Sequence, residues 1–249
     1  MTSPRIVHGT TNLYGFTVGI LMIEGRFPRI RGAIGHAQTF AFPVHHKIVR
    51  GANGTQTVRE LARLDRDDPR YTEIVAPWLC AARELEREGV HAIATSCGFA
   101  ALIQHDLVAA VEVPVLASGL LLVPLIKRML KPDRKIGIIT ADARALSERH
   151  LAAAGIAPDT VAIAGLEHSS EFERMAYDEA STVDFGALER DVVACARALD
   201  TPDNAVGALL IECSLLLPFS ATLQACLSKP VFDIRNLVST MHASTLNFS

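Results

Sequence analysis

Two cysteines stand at matching places in two halves of this chain, and their type and setting suit proton chemistry at carbon. Cys97 closes the run Gly89-Val90-His91-Ala92-Ile93-Ala94-Thr95-Ser96, and Cys213 closes Ala205-Val206-Gly207-Ala208-Leu209-Leu210-Ile211-Glu212. Each is an apolar run of strand length, followed by residues compatible with a helix start. That is where an α/β fold presents reactive groups, at the carboxyl end of a parallel strand. A thiol can be tuned towards neutral pH, and a helix N-terminus lowers its pKa. Two thiols facing each other across a cleft can take a proton from one face of a carbon and return one to the other.

The elements that must position them repeat. Cys97 and Cys213 are 116 residues apart, and Val113-Pro114-Val115 recurs at the same spacing as Lys229-Pro230-Val231. Val18-Gly19-Ile20-Leu21 answers Ile136-Gly137-Ile138-Ile139, with the glycines 118 residues apart; Glu24 with Asp142 and Arg26 with Arg144 keep that spacing. Cys80 and Cys195 form a further pair, 115 residues apart. A repeat of this length is a duplicated domain rather than a solenoid unit.

Strands and helices alternate through both halves. Strands are expected over Thr17 to Ile23, Thr39 to Val44, the Cys97 run and Val113 to Ala117. Those of the second half are Lys135 to Thr140, Thr160 to Ala164, Val206 to Ile211 and Val231 to Ile234. Helices are expected over Arg70 to Glu88, Phe99 to Val111, Leu121 to Leu130 and Ala143 to Ala154. Phe185 to Leu199, Leu217 to Cys226 and Asn236 to Ala243 complete the set. Val58 to Leu64 fits a helix or a strand start. Strands separated by helices imply a parallel sheet with helical covers in each half.

Composition narrows the function classes. The 249 residues are 49% hydrophobic with a formal net charge of −3, and only 6% are aromatic. Nothing global attracts nucleic acid or an anionic membrane, and no stretch interleaves arginines with aromatics as base-stacking surfaces do. Val111 to Leu130 invites reading as a membrane span. It is broken by Glu112, Pro114, Pro124, Lys127 and Arg128, short of the roughly 18 uninterrupted apolar residues of a membrane span. Met1 to Gly15 lacks a basic segment, an apolar core and a cleavage site of signal-peptide type. The five cysteines show no CxxC and no zinc-type cluster, so they are read as reduced thiols of a cytoplasmic protein. Neither GxGxxG nor GxxxxGK[ST] occurs, which argues against a nucleotide enzyme.

The residues Val18-Gly19-Ile20-Leu21-Met22-Ile23, Arg26-Phe27-Pro28-Arg29, and Thr95-Ser96-Cys97-Gly98-Phe99 with Gln104 carry a resemblance. So do Glu212-Cys213-Ser214, Pro218-Phe219 and Pro230-Val231-Phe232-Asp233-Ile234. Over nearly its whole length the chain resembles the aspartate/glutamate racemase superfamily, which includes hydantoin racemases, maleate isomerases and arylmalonate decarboxylases, and more narrowly a racemase-like branch of it. The resemblance implies an α/β fold of two pseudo-symmetric domains, each a four-stranded parallel sheet covered by helices, with the active site in the interdomain cleft. The expected division is 1–118 plus 235–249 against 119–234.

It also implies a cofactor-independent racemase or epimerase in which Cys97 and Cys213 abstract and return the α-proton of an amino acid or related small carboxylate. Homodimers are common among such enzymes. Other readings are an isomerase or decarboxylase of the same superfamily, in which one cysteine does most of the chemistry, and a bilobal binding protein without turnover. No metal is implied. Related racemases place Asn-Thr near the first cysteine and Thr with a polar partner after the second. Here Gly98-Phe99 and Ser214-Leu215-Leu216 stand instead, so a more apolar pocket is expected near Cys213.

Further candidates for substrate contact are Thr95, Ser96, Gly98 and Ser214 beside the thiols, and Glu24 and Asp142 after the first strand of each half. The hydroxyls serve equally as helix caps, and the carboxylates equally as loop residues. Strand alternation aims Glu212 away from Cys213. His45-His46 and Arg26, Arg29 and Arg31 read as a solvated loop face, and Cys80, Cys195 and Cys226 as packing residues on helices.

Overall fold

The computed structural model describes residues 9, 11 and 13–245. Residues 1–8, 10 and 12, within the stretch searched for a signal peptide, and 246–249 at the end of the expected first domain lie outside it.

Two four-stranded parallel sheets form the frame. The first contains β1 (Val18–Ile23), β2 (Val44–Val49), β3 (Ala92–Thr95) and β4 (Val115–Leu116), in the order β2-β1-β3-β4. The second contains β5 (Lys135–Thr140), β6 (Val161–Gly165), β7 (Val206–Ile211) and β8 (Val231–Asp233), in the equivalent order β6-β5-β7-β8. The helices are α1 (Pro69–Glu88), α2 (Gln104–Ala110), α3 (Val123–Met129), α4 (Glu148–Ala153), α5 (Ser170–Ala176), α6 (Phe185–Leu199), α7 (Ser220–Leu227) and α8 (Ile234–Thr245). Central strands read as continuous apolar runs because helices cover both of their faces. Ile20, Leu21, Ile93 and Ala94 are fully buried, as are Ile138, Ile139, Leu210 and Ile211.

The repeat is a repeat of hydrogen bonds. Ser96 N donates to Leu21 O and Glu212 N to Ile139 O, both at 2.8 Å; Ile93 N donates to Pro114 O and Leu209 N to Pro230 O, both at 2.9 Å. The paired glycines are part of it. A Cβ on Gly19 would come within 2.8 Å of Leu85 Cδ1, and one on Gly137 within 2.8 Å of Leu209 Cδ2, so side chains pack directly on the first-strand backbone in each half. α8 leaves the second sheet and packs on β1 and β3 of the first. At its start Arg235 pairs with Asp233 and donates to Gly32 O at 3.4 Å, tying the two halves together.

Several elements differ from expectation or settle an open choice. The strand expected over Thr39 to Val44 begins only at Val44 and runs to Val49. Pro43 has no N–H for a ladder, and Thr39 Oγ1 closes a loop by accepting from Gly32 N and donating to Ala33 O. Thr55–Glu60 is a π-helix followed by a 3₁₀ turn at Leu61–Arg63. The helix expected from Ala143 starts at Glu148, because Asp142 takes the Arg144 N–H and Glu167 takes that of Ala143, and Ser147 with His150 forms the cap. α5 was not expected; Ser169 Oγ caps it by accepting from Phe172 N.

Candidate active site

Cys97 and Cys213 follow β3 and β7 and line one pocket at the carboxyl ends of both sheets. Thr95 Oγ1 accepts from Cys97 N at 3.2 Å and donates to Ala117 O at 2.6 Å, fixing the turn out of β3. Ala100 N donates to Cys97 O and Leu216 N to Cys213 O, both at 3.0 Å, so each cysteine opens a helical turn whose nearby N–H groups favour the thiolate.

Electrostatics keep the thiols protonated. Burial pushes the Cys97 thiol up to about 12, the Glu212 charge adds to this, and the nearby N–H groups oppose it. Burial also raises Cys213 well above the ordinary thiol value, with Glu212 and then Cys97 contributing. A thiolate at Cys97 would also oppose a second one at Cys213.

Glu212 departs from expectation by lining the same pocket. β7 ends at Ile211, and the chain turns out of the ladder before strand alternation applies. Its Oε2 accepts from Thr140 Oγ1 at 2.6 Å, while Oε1 is buried without a partner. Burial raises its pKa to about 7. Position 98 must be glycine, because a Cβ there would collide with this carboxylate.

Of the other sequence candidates, Ser96, Gly98 and Ser214 line the pocket. Ser96 Oγ accepts from Ile23 N at 3.0 Å, and Ser214 Oγ donates to Ser96 O, joining the halves beneath the thiols. Thr95 is buried behind the turn, outside the pocket lining. Glu24 also lies outside it, half-exposed, accepting from Gly51 N at 2.9 Å. Asp142 lies in a neighbouring polar hollow with Arg59, Arg63 and Arg144. Burial acts to raise its pKa, but hydrogen bonds and charge from Arg144 outweigh this and hold it low. His45 pairs with Glu88 and His46 contacts Ile34 O, so both are tied to the fold. Cys80 and Cys226 are exposed rather than packed, and Cys195 is half-buried.

Sequence reasoning anticipated the apolar setting that Leu215 gives Cys213 but missed the other walls. Phe27, Val58, Phe172, Tyr177 and Leu215 make the pocket apolar, and the Tyr177 hydroxyl is buried without a partner. Arg59 stacks on the Tyr177 ring at 3.9 Å and binds Glu173 at 2.9 Å, clasping the π-helix of one half to α5 of the other. The free volume is about 40 Å³, room for a few heavy atoms. Among the described residues no group of acids, histidines and cysteines is arranged to hold a metal ion, and no helix is long and apolar enough to cross a membrane.

The fold is shared with solved structures of an aspartate racemase homologue, an allantoin racemase and arylmalonate decarboxylase. The chain is similar to allantoin racemase from Klebsiella pneumoniae (TM-score 0.57, 15% identity, 93% of this chain and 88% of that one). It is also similar to a variant of arylmalonate decarboxylase in a sulfate-associated form (0.54, 17%, 86% of each). An aspartate racemase homologue from Pyrococcus horikoshii OT3 matches at 0.52 and 18% identity, over 90% of this chain and 98% of that one. No family model matches the sequence. Among curated proteins it is 26% identical over 228 residues to a dimethylsulfoniopropionate lyase of Durusdinium sp. clade D, covering 89% of this chain and 72% of that protein. It is 26% identical over 241 residues to dimethylsulfoniopropionate lyase 3 of Emiliania huxleyi, covering 93% of this chain and 60% of that protein. The chain thus spans about three-fifths to three-quarters of the length of these two relatives.

Proposed function

We propose that this chain is a cofactor-independent enzyme in which Cys97 removes a proton from the carbon next to a carboxylate, and that the reaction ends in β-elimination from a small sulfonium carboxylate such as dimethylsulfoniopropionate. The observation that carries the first step is the pair of thiols on equivalent strand ends in one apolar pocket. The names of the relatives support elimination, and so does the chemistry of the walls. A sulfonium is a fixed cation without N–H donors, suited to aromatic faces and a carboxylate rather than to a ring of acceptors. Phe27, Phe99, Phe172 and Tyr177 supply the faces, and Glu212 supplies an oxygen with no other partner.

A cationic substrate also favours loss of the Cys97 proton to solvent. Burial and Glu212 oppose ionisation of Cys97. A positive charge within about 4–6 Å of a thiol reverses that field and lowers its pKa by about 1–3 units. The Cys97 thiolate then takes the α-proton. The C–H electron pair forms the new carbon–carbon π-bond as the Cβ–S bond breaks, and the sulfur keeps its pair and leaves as neutral dimethyl sulfide. Acrylate remains, and the proton rides on Cys97 until it passes to solvent.

The register of the thiols favours a second reading, racemisation or epimerisation of an amino acid or related carboxylate. There Cys213 returns a proton to the opposite face of the same carbanion. One set of incubations separates the two. Dimethylsulfoniopropionate should yield dimethyl sulfide by gas chromatography and acrylate by NMR. Single-enantiomer amino acids and hydantoins in deuterated water should then show little α-exchange. Exchange with inversion and no dimethyl sulfide would replace the first reading by the second. Silence in both assays would sink the thiol chemistry altogether.

A further inference from the structure

Beside the thiol pocket lies a smaller chamber that shares Ile23, Phe27, Ser96, Ser214 and Leu215 with it. Its free volume is about 10 Å³, enough for one end of a functional group rather than a whole ligand. Arg29 lines this chamber, and among the described residues it is the one cationic side chain lining either space. Its guanidinium lies over the Phe27 ring at 4.2 Å, and Phe27 in turn walls the thiol pocket.

Arg29 is held but not neutralised. It donates to Gly25 O at 3.1 Å and to Ile23 O at 3.4 Å, and among the described residues no carboxylate lies within 4.0 Å of it. Burial lowers its pKa, opposed only by the more distant charge of Glu179. Two carbonyl bonds use a minority of its five N–H donors. A half-buried guanidinium without a counter-ion is costly unless a ligand supplies the charge. The proposed reaction needs such a group, since removing a proton next to a carboxylate builds negative charge on the carboxylate oxygens. The thiol pocket itself contains only carboxylate, thiols, hydroxyls and apolar walls.

We propose that Arg29 and the chamber behind Phe27 form a carboxylate subsite that orients substrate with its anionic end towards Ser96 and Ser214 and its acidic carbon at the thiols. This rests on reading the thiols as acting on a carbon next to a carboxylate. It restricts substrates to small monocarboxylates, or to molecules with one carboxylate free to enter, and excludes their esters and amides.

Binding without turnover tests it. The full chain carrying Cys97→Ser would be titrated calorimetrically with propionate, acrylate and neutral propionamide, alone and with Arg29→Gln or Arg29→Lys added. The carboxylates should bind at least tenfold more tightly than propionamide. Arg29→Gln should erase that preference, a loss of about 10- to 100-fold for the charged hydrogen bonds to one anion. Arg29→Lys keeps the charge but not the fork, and should weaken carboxylates at least threefold while leaving propionamide unchanged; it decides the matter if the glutamine variant does not fold. Absence of the preference in the parent, or its survival in folded Arg29→Gln or Arg29→Lys protein, would overturn the subsite. With both thiols intact, Arg29→Lys should raise KM more than it lowers kcat. A protein that turns over no substrate yet loses its carboxylate preference on Arg29→Gln would sink the thiol chemistry and leave the subsite standing.

Discussion

The strand ends that carry Cys97 and Cys213 share their backbone and differ one residue before the thiol, where Ser96 stands in one half and Glu212 in the other. Ser96 and Glu212, each just past its strand, make the same backbone hydrogen bond, at the same 2.8 Å, to the first strand of their own sheet. Their side chains then diverge. Ser96 Oγ accepts from Ile23 N, whereas Glu212 brings a carboxylate with an unpartnered oxygen into the pocket. Thr95 braces the first turn, and its counterpart Ile211 is apolar. Duplication has preserved where the thiols sit, and one carboxylate without a counterpart in the other half opposes ionisation of both.

The sharpest way to break this comparison is to remove each thiol in turn. Cys97→Ala should lower dimethyl sulfide production by about 10²- to 10⁴-fold, the usual worth of a general base. Cys213→Ala should lower it by no more than about tenfold. Equal losses, read as initial rates on folded protein, would mean that the two halves are chemically equivalent and that the Glu212 asymmetry is incidental.

Glu212→Gln comes next. In the folded chain Glu212 has its pKa raised from 4.5 to about 7, so the protonated form is the one that folding favours. Stability from this group is fully present below about pH 4.5 and is lost as pH rises through 7, to a total of about 3 kcal/mol. In urea unfolding the stability of Glu212→Gln relative to the parent should rise by about 3 kcal/mol from pH 4.5 to 7. This comes on top of the opposite slope that buried His150, its pKa lowered to about 4, gives both proteins. The same variant removes the charge that opposes the Cys97 thiolate, so its pH–rate profile should shift to lower pH. An unchanged slope and an unshifted profile would show that Glu212 does not distinguish the halves.

The smallest effect expected is that of Thr95→Val. It leaves Cys97 N and Ala117 O without their side-chain partner and should cost about 1–2 kcal/mol in urea unfolding. Its counterpart Ile211→Val removes one methylene from a strand that makes no such bonds, and should cost about 1 kcal/mol. A cost for Thr95→Val no larger than that would mean that the first turn needs no bracing.

Much of the frame was legible in the chain because parallel strands buried on both faces must be apolar along their whole length. β1, β5 and β7 and the helices α1 and α6 lie close to where the pattern placed them. Elements governed by single hydrogen bonds were not legible. Pro43 and the Thr39 loop displaced β2, and the side chains of Asp142 and Glu167 unwound the first turn expected of α4. Within the site, Cys97, Cys213, Ser96, Gly98 and Ser214 were readable because they sit at strand ends that repeat. Phe172 and Tyr177 were not, because they belong to a short segment between strands whose place is set by the Arg59 clasp from the other half. Arg29 was visible as a residue but read as solvated, since nothing local reveals that Phe27 and Gly35 enclose it.

The sequence by itself determined the duplication, the α/β architecture and the two thiols in register, since these follow from periodicity and from residue identity at equivalent positions. Only the tertiary structure decided the electrical character of the site. Alternation along a strand cannot say where a side chain points once the chain has left the ladder, and Glu212 is the first residue past it. Burial, and with it every shifted pKa in the pocket, depends on which distant segments close over a strand end.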